Sequence, residues 1–177
     1  MVKISMKKLV LSGLMAALVT VGTMIIQIPT PTKGYIHIGD SMVYLSGILL
    51  GPAVGSLAAA IGSMFADLFS GYGIYAPATF VIKGLDAFVV GYIYHKMVGQ
   101  HASMAKKLTS FSVAVFLGGA IMVGGYFAYE SILYGFAAAI PGIVGNITQA
   151  VGGGVLAVPL LLALDKTKLF HGIYGNR

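Results

Sequence analysis

Lys83 and Asp86 stand three residues apart inside Ala76–Tyr94, a stretch that carries no other charge. A charge within an apolar span costs roughly 3 kcal/mol unless it is paired or hydrated, so such residues are candidates for function. Residues three apart share a helix face. Lys83 therefore either forms a structural ion pair with Asp86, or donates into a ligand cavity with Asp86 orienting it. Asn146 and Gln149 have the same spacing in a long uncharged run, where amides bridge helices or read a ligand. Glu130 closes another run beside Tyr126 and Tyr129. Asp40, between Gly39 and Ser41, is placed to cap a helix N-terminus. Asp67 is placed to pair with Lys33 or Lys83.

Other chemistry is excluded by absence. The chain has no cysteine, so it has no thiol nucleophile, thiolate metal site or disulfide. It contains no Gly-Lys dipeptide and hence no Walker A phosphate loop, no His-Glu-x-x-His and no Gly-x-Ser-x-Gly. The expectation is a protein that is not an enzyme, carries no resident cofactor or metal, and cannot itself hydrolyse ATP.

The elements that must position these residues are membrane spans. The 177 residues are 58% hydrophobic and 9% charged, with a mean hydropathy of +0.91. Soluble proteins average about 25% charged residues. The uncharged runs Leu9–Thr32, Ser41–Ala66, Leu108–Tyr129 and Ser131–Leu164 each exceed the roughly 20 residues that cross a hydrocarbon core. The net charge of +6 collects at Lys3, Lys7 and Lys8, at His95–Lys107, and at Lys166, Lys168 and Arg177. That is the pattern of cytoplasmic segments and not a nucleic-acid footprint. Both termini are expected in the cytoplasm, and the first apolar run is read as a retained span reaching Ile28.

An even number of crossings must separate two cytoplasmic segments, yet only three apolar regions lie between the N-terminus and residue 95. The middle one is divided at Gly51-Pro52, because Pro favours the first turn of a new helix. This predicts an all-α integral membrane bundle of six helices in a single domain over 1–177, with a very short second helix at 40–50. The outward loops are then 29–39, 70–77 and 130–137. They carry Tyr35, His37, Tyr75 and Glu130, which places a binding site on that side. In the first span, Ser12, Gly13, Ala16, Ala17 and Thr20 form a small-residue face, suited to close helix packing within the bundle or against another membrane protein.

The whole chain resembles the substrate-binding S components of energy-coupling-factor (ECF) vitamin importers. The resemblance is carried by Lys7–Thr20, Ile26–Pro31, Gly34–Asp40, Leu49-Leu50-Gly51-Pro52 and Asp67–Gly84, including Gly71-Tyr72 and Tyr75-Ala76-Pro77. It is nearest to the branch associated with hydroxymethylpyrimidine or pyridoxine uptake. It implies a subunit of the bacterial plasma membrane that captures a small vitamin outside the cell. It also implies docking through the first helix on a transmembrane coupling protein joined to two cytoplasmic ATPases, and toppling of the loaded subunit. Gly13 stands where the family's docking motif usually has alanine. The expected ligand-binding residues are Lys83, Asn146, Glu130, Tyr75, Gln149, Tyr35, His37 and Asp40. Pantothenate, riboflavin, thiamine and folate remain alternative cargoes, and a stand-alone secondary transporter remains an alternative mechanism.

Overall fold

The computed structural model describes residues 5–30, 34–99 and 102–167. Lys3, Lys33, His101, Lys168 and Arg177, used above for topology or pairing, lie outside the described residues. Six helices follow one another: α1 (Met6–Ile25), α2 (Asp40–Leu50), α3 (Pro52–Phe69), α4 (Ala76–Met97), α5 (Met104–Tyr134) and α6 (Phe136–Asp165). All but α2 are long and apolar enough to cross a membrane. The break at Gly51-Pro52 falls as expected, with Gly51 at φ +84° and Pro52 opening α3. A positive φ is open to glycine at little cost.

Two boundaries differ from the sequence reading. The first span ends at Ile25, not Ile28, because Ile26 is already extended. Gln27–Pro29 (β1) instead pairs antiparallel with Tyr35–His37 (β2), Ile28 opposite Ile36. The β-branched pair Ile25-Ile26 and the nearby Pro29 favour extended backbone over helix. The expected loop at 130–137 is nearly absent. Helix α5 continues to Tyr134, and Gly135 alone, at φ +91°, separates it from α6. At 1.5 Å per residue, the 31 residues of α5 run about 46 Å, well beyond a core of about 30 Å.

Helix α2, whose 11 residues cover about 16 Å, survives its shortness by being the centre of the bundle. Val43, Tyr44, Leu45 and Ile48 are buried among α1, α3, α4 and α6. Ser46 Oγ ties it to α3 by donating to the Gly55 carbonyl at 2.8 Å. At its C-terminal end His95 Nε2 donates to the Ile48 carbonyl at 2.9 Å, one of the groups that a helix terminus leaves open. Gly47 lets α4 lie directly on α2, since a Cβ there would stand 2.1 Å from the Ala87 carbonyl oxygen.

The face expected on α1 divides in two. Thr20 Oγ1 donates to the Gly62 carbonyl at 2.9 Å, and a Cβ on Gly62 would reach the Ala16 carbonyl oxygen at 2.4 Å. Ala16 and Thr20 are thus spent on α3. Gly13 and Ala17 are exposed, with open space at Gly13, and Ser12 turns back to the Lys8 carbonyl.

Gly47→Ala is expected to destabilise the bundle by about 1–3 kcal/mol through overpacking. Gly124→Ala, with nothing within 4 Å of the new methyl, serves as the neutral control. Equal melting temperatures for the two variants in detergent would contradict the central packing of α2.

Candidate functional site: a cavity beneath the hairpin

The chain directions bring the β-hairpin, the α3–α4 turn and the α5–α6 junction to one end of the bundle. Contacts between Tyr35 and Tyr72, with ring centroids 4.4 Å apart, and between Gln27 Nε2 and Ser70 Oγ at 2.8 Å tie the first two together. A small, partly open cavity lies beneath them. The hairpin contributes Thr30, Gly34, Tyr35, Ile36 and His37; α3 contributes Asp67. Tyr75 and Thr79 come from the start of α4, Tyr126 and Glu130 from α5, and Gly142, Gly145, Asn146 and Gln149 from α6.

Among the expected ligand-binding residues, Tyr35, His37, Tyr75, Glu130, Asn146 and Gln149 are brought together on this cavity. Lys83 and Asp40 are not on its lining. They form an ion pair with each other, both essentially unexposed, with Lys83 Nζ also against Met122 Sδ and 5.7 Å from the Tyr126 ring centroid. The partner of Lys83 is therefore Asp40 on α2, not Asp86. Asp86 is fully buried and neither carboxylate oxygen has a hydrogen-bond partner among the described residues. Nor does Asp40 cap its helix, for its side chain is committed to Lys83 and the cap position belongs to Gly39. Asp67 does not pair with Lys83, and Lys33 lies outside the described residues; Tyr35 Oη donates to its Oδ1 at 2.6 Å.

The ion pair is wired to the cavity through one amide. Gln149 Nε2 donates to Asp40 Oδ2 at 3.1 Å, while Gln149 Oε1 accepts the His37 backbone N–H at 3.0 Å. A single α6 side chain thus joins α2 and the hairpin. His37 Nδ1 accepts from the Gly39 N–H at 3.1 Å, which leaves the proton of the neutral ring on Nε2. Burial pushes the His37 pKa down to about 4; the Asp40 carboxylate opposes this and the Lys83 ammonium adds to it. Burial, then the neighbouring Asp67 carboxylate, pushes the Tyr35 phenol up, so it remains a donor. Thr79 Oγ1 and Tyr126 Oη share a hydrogen bond of 3.0 Å, and Tyr75 Oη donates to Glu130 Oε1 at 3.4 Å.

Sequence reasoning did not select Thr30, Asp67, Thr79 or Tyr126 as lining residues. A signal existed for two of them. Thr79 precedes Lys83, and Tyr126 precedes Glu130, by the four residues that bring side chains onto one helix face. The lining offers aromatic rings, carboxylates, hydroxyls and amides, and no cation among the described residues. It suits hydrogen-bond donors on a flat apolar ring. No group of three or more metal-ligating side chains occurs among the described residues.

Two tests separate the roles of these groups. Lys83→Met strands the Asp40 carboxylate and is expected to destabilise by about 3–5 kcal/mol. Combining it with Asp40→Asn restores much of the loss, while Asp86→Asn alone costs nothing. A large loss from Asp86→Asn, read by thermal melting, would contradict the pairing. For His37, the unfolded ring binds a proton near the ordinary 6.5 and the folded ring only near 4. Stability is therefore full above about pH 6.5 and falls as pH drops towards about 4. His37→Asn should flatten that slope, and an unchanged slope would exclude His37 as its source.

Comparison with known proteins places this geometry. Residues 3–166 match the family described as ECF-type riboflavin transporter, S component. An uncharacterised protein of Pyrococcus woesei is 36% identical over 84% of this chain and 95% of its own length. The thiamine precursor transporter HmpT of Lactococcus lactis is 25% identical over 95% of this chain and 93% of its own. A solved S component of a bacterial ECF transporter superposes with a TM-score of 0.68 at 19% identity, covering 90% of this chain and 95% of the other. The resemblance read from the motifs and the six-helix architecture agree with these likenesses. The chain belongs to the S-component family of ECF-type transporters, a family of multi-pass cell-membrane transport subunits and not of enzymes.

Proposed function

We propose that this chain is the capture subunit of an ECF-type importer and holds a single-ring heteroaromatic vitamin or precursor in the cavity beneath the hairpin. Hydroxymethylpyrimidine is the first candidate and pyridoxine the second. The hairpin end faces outwards, and the basic end, with Lys7, Lys8, Lys96, Lys106 and Lys107, faces the cytoplasm. One observation carries the reading. The cavity is walled by Tyr35, Tyr75 and Tyr126 and contains the carboxylates of Asp67 and Glu130, with the nearby Lys83 already neutralised by Asp40.

That lining favours a ring with hydrogen-bond donors and disfavours an anion. Pantothenate and folate would bring carboxylates against carboxylates, at a Coulombic cost that grows with burial. The likeness to the thiamine precursor transporter supports the pyrimidine. Riboflavin is the second reading, favoured by the description of the matching family. Its three fused rings and sugar-alcohol chain suit the space under the hairpin less well than one ring does.

Delivery is assigned to partners, a transmembrane coupling protein and two ATPases. Gly13 and Ala17, exposed on α1, offer a small-x-x-x-small surface on which another helix can approach closely. Ser12, Ala16 and Thr20 support that surface from within.

The purified chain, tested by native mass spectrometry, is expected to retain hydroxymethylpyrimidine or pyridoxine and to release pantothenate. Tight retention of pantothenate, or ligand uptake by vesicles containing this chain alone, would contradict the assignment. Gly13→Leu is expected to bind ligand normally and to lose co-purification with the coupling protein. A normally assembled, transporting complex would exclude α1 as the docking face.

A further inference from the structure

Helices α5 and α6 leave an apolar groove between them, apart from the cavity under the hairpin. Its lining recurs every three to four residues, from Phe111 to Gly124 on α5 and from Ile147 to Val158 on α6. Ser112 carries the one polar side chain among the described lining residues, and its Oγ is spent on the Leu108 carbonyl at 3.1 Å. Nothing in the groove calls for a polar ligand. Phe116, Val151 and Val155 along it are exposed, so it is open sideways to the hydrocarbon.

Width, length and charge together say what fills it. The helices touch at its base: a Cβ on Gly119 would stand 3.1 Å from the Ala150 Cβ, and one on Gly154 3.1 Å from Val115 Cγ1. A methylene chain can lie in such a seam, whereas a helix of about 10–12 Å diameter rests on its rim. At 1.5 Å per residue the lining runs about 16–20 Å. That is close to half of a core of about 30 Å, the depth of one leaflet. Lys107 stands one turn before Phe111 on the same face and bridges to Asp165 at 2.7 Å, bringing the start of α5 and the end of α6 together. Their neighbours Lys106 and Lys166 are exposed and in no ion pair among the described residues. Three lysines against one aspartate leave this mouth cationic. The far end, at Val123 and Ile147, has no charged lining.

We propose that the groove is a binding site for a single anionic phospholipid, one acyl chain along the α5–α6 seam and the phosphate on Lys106 and Lys166. The lipid belongs to the leaflet at the basic end of the bundle. Juxtamembrane lysines attract anionic headgroups; the groove adds a place for the chain, which separates a defined site from the general lipid annulus. None of these residues lines the cavity under the hairpin, so the site is independent of the cargo.

The test is native mass spectrometry of the full-length chain, delipidated in detergent and then offered phosphatidylglycerol and phosphatidylcholine with the same acyl chains. One phosphatidylglycerol per chain is expected to be retained, preferred by about tenfold to thirtyfold, the scale of two lysine–headgroup contacts. Lys106→Gln combined with Lys166→Gln should remove most of that preference. Gly124→Leu, placed where an added Cβ meets no atom within 4 Å, should fill the groove and release both lipids. Should it not yield monodisperse protein, the wild type and the lysine variant decide. Equal retention of the two lipids, a graded series of bound lipids with no single-site step, or a preference that survives loss of both lysines would overturn the proposal. So would Gly124→Leu protein that keeps its lipid and loses co-purification with the coupling protein, which would assign the groove to a partner helix.

Discussion

The ion pair between Lys83 and Asp40 is the constraint around which the bundle is arranged. Water cannot solvate either charge at this depth, and one without the other is costly. Asp40 opens α2 and Lys83 lies two turns into α4, so pairing them fixes the axial position of a helix too short to be set by its own hydrophobic length. Gln149 takes the second Asp40 oxygen and the His37 N–H together. One buried pair thereby sets the relation of α2, α4, α6 and the hairpin, and with it the floor of the cavity.

The polar groups around the cavity and its floor fall into two sets with different jobs. Asp40, Lys83 and Gln149 largely satisfy one another and hold helices in register. Asp67 and Asn146, nearer the hairpin, line the cavity. The first set is a reason for the second to be effective, since a recognition group gains selectivity when its supports leave it little freedom to move. Asp86 belongs to neither set. It lies against α5, where a Cβ on Gly118 would stand 2.4 Å from Oδ1.

Much of the fold was legible because the bilayer simplifies the code. Uncharged length, basic flanks and the Gly51-Pro52 break were enough to give six helices and the short α2. What escaped were contacts set by tertiary approach. Lys83 has an acidic neighbour three residues away, and local spacing favoured Asp86; the actual partner lies 43 residues away in sequence, which no periodicity encodes. The hairpin escaped because Gln27–Pro29 and Tyr35–His37 are only three residues each. Residues 130–137 read as a loop because Glu130 looked like a span's end, whereas the carboxylate is buried within α5 and faces the cavity. The small face of α1 was correctly seen as small but not as divided, since which residues meet Gly62 depends on where α3 lies.

The most direct test of the central claim, ligand capture beneath the hairpin, is a structure of the chain saturated with hydroxymethylpyrimidine. The account predicts ring density among Tyr35, Asp67, Tyr126 and Asn146, with the Lys83–Asp40 pair intact behind it. Ring density in the apolar groove between α5 and α6, lined by Phe116, Val123 and Val151, or a Lys83 that has left Asp40 to hold the ligand, would contradict it.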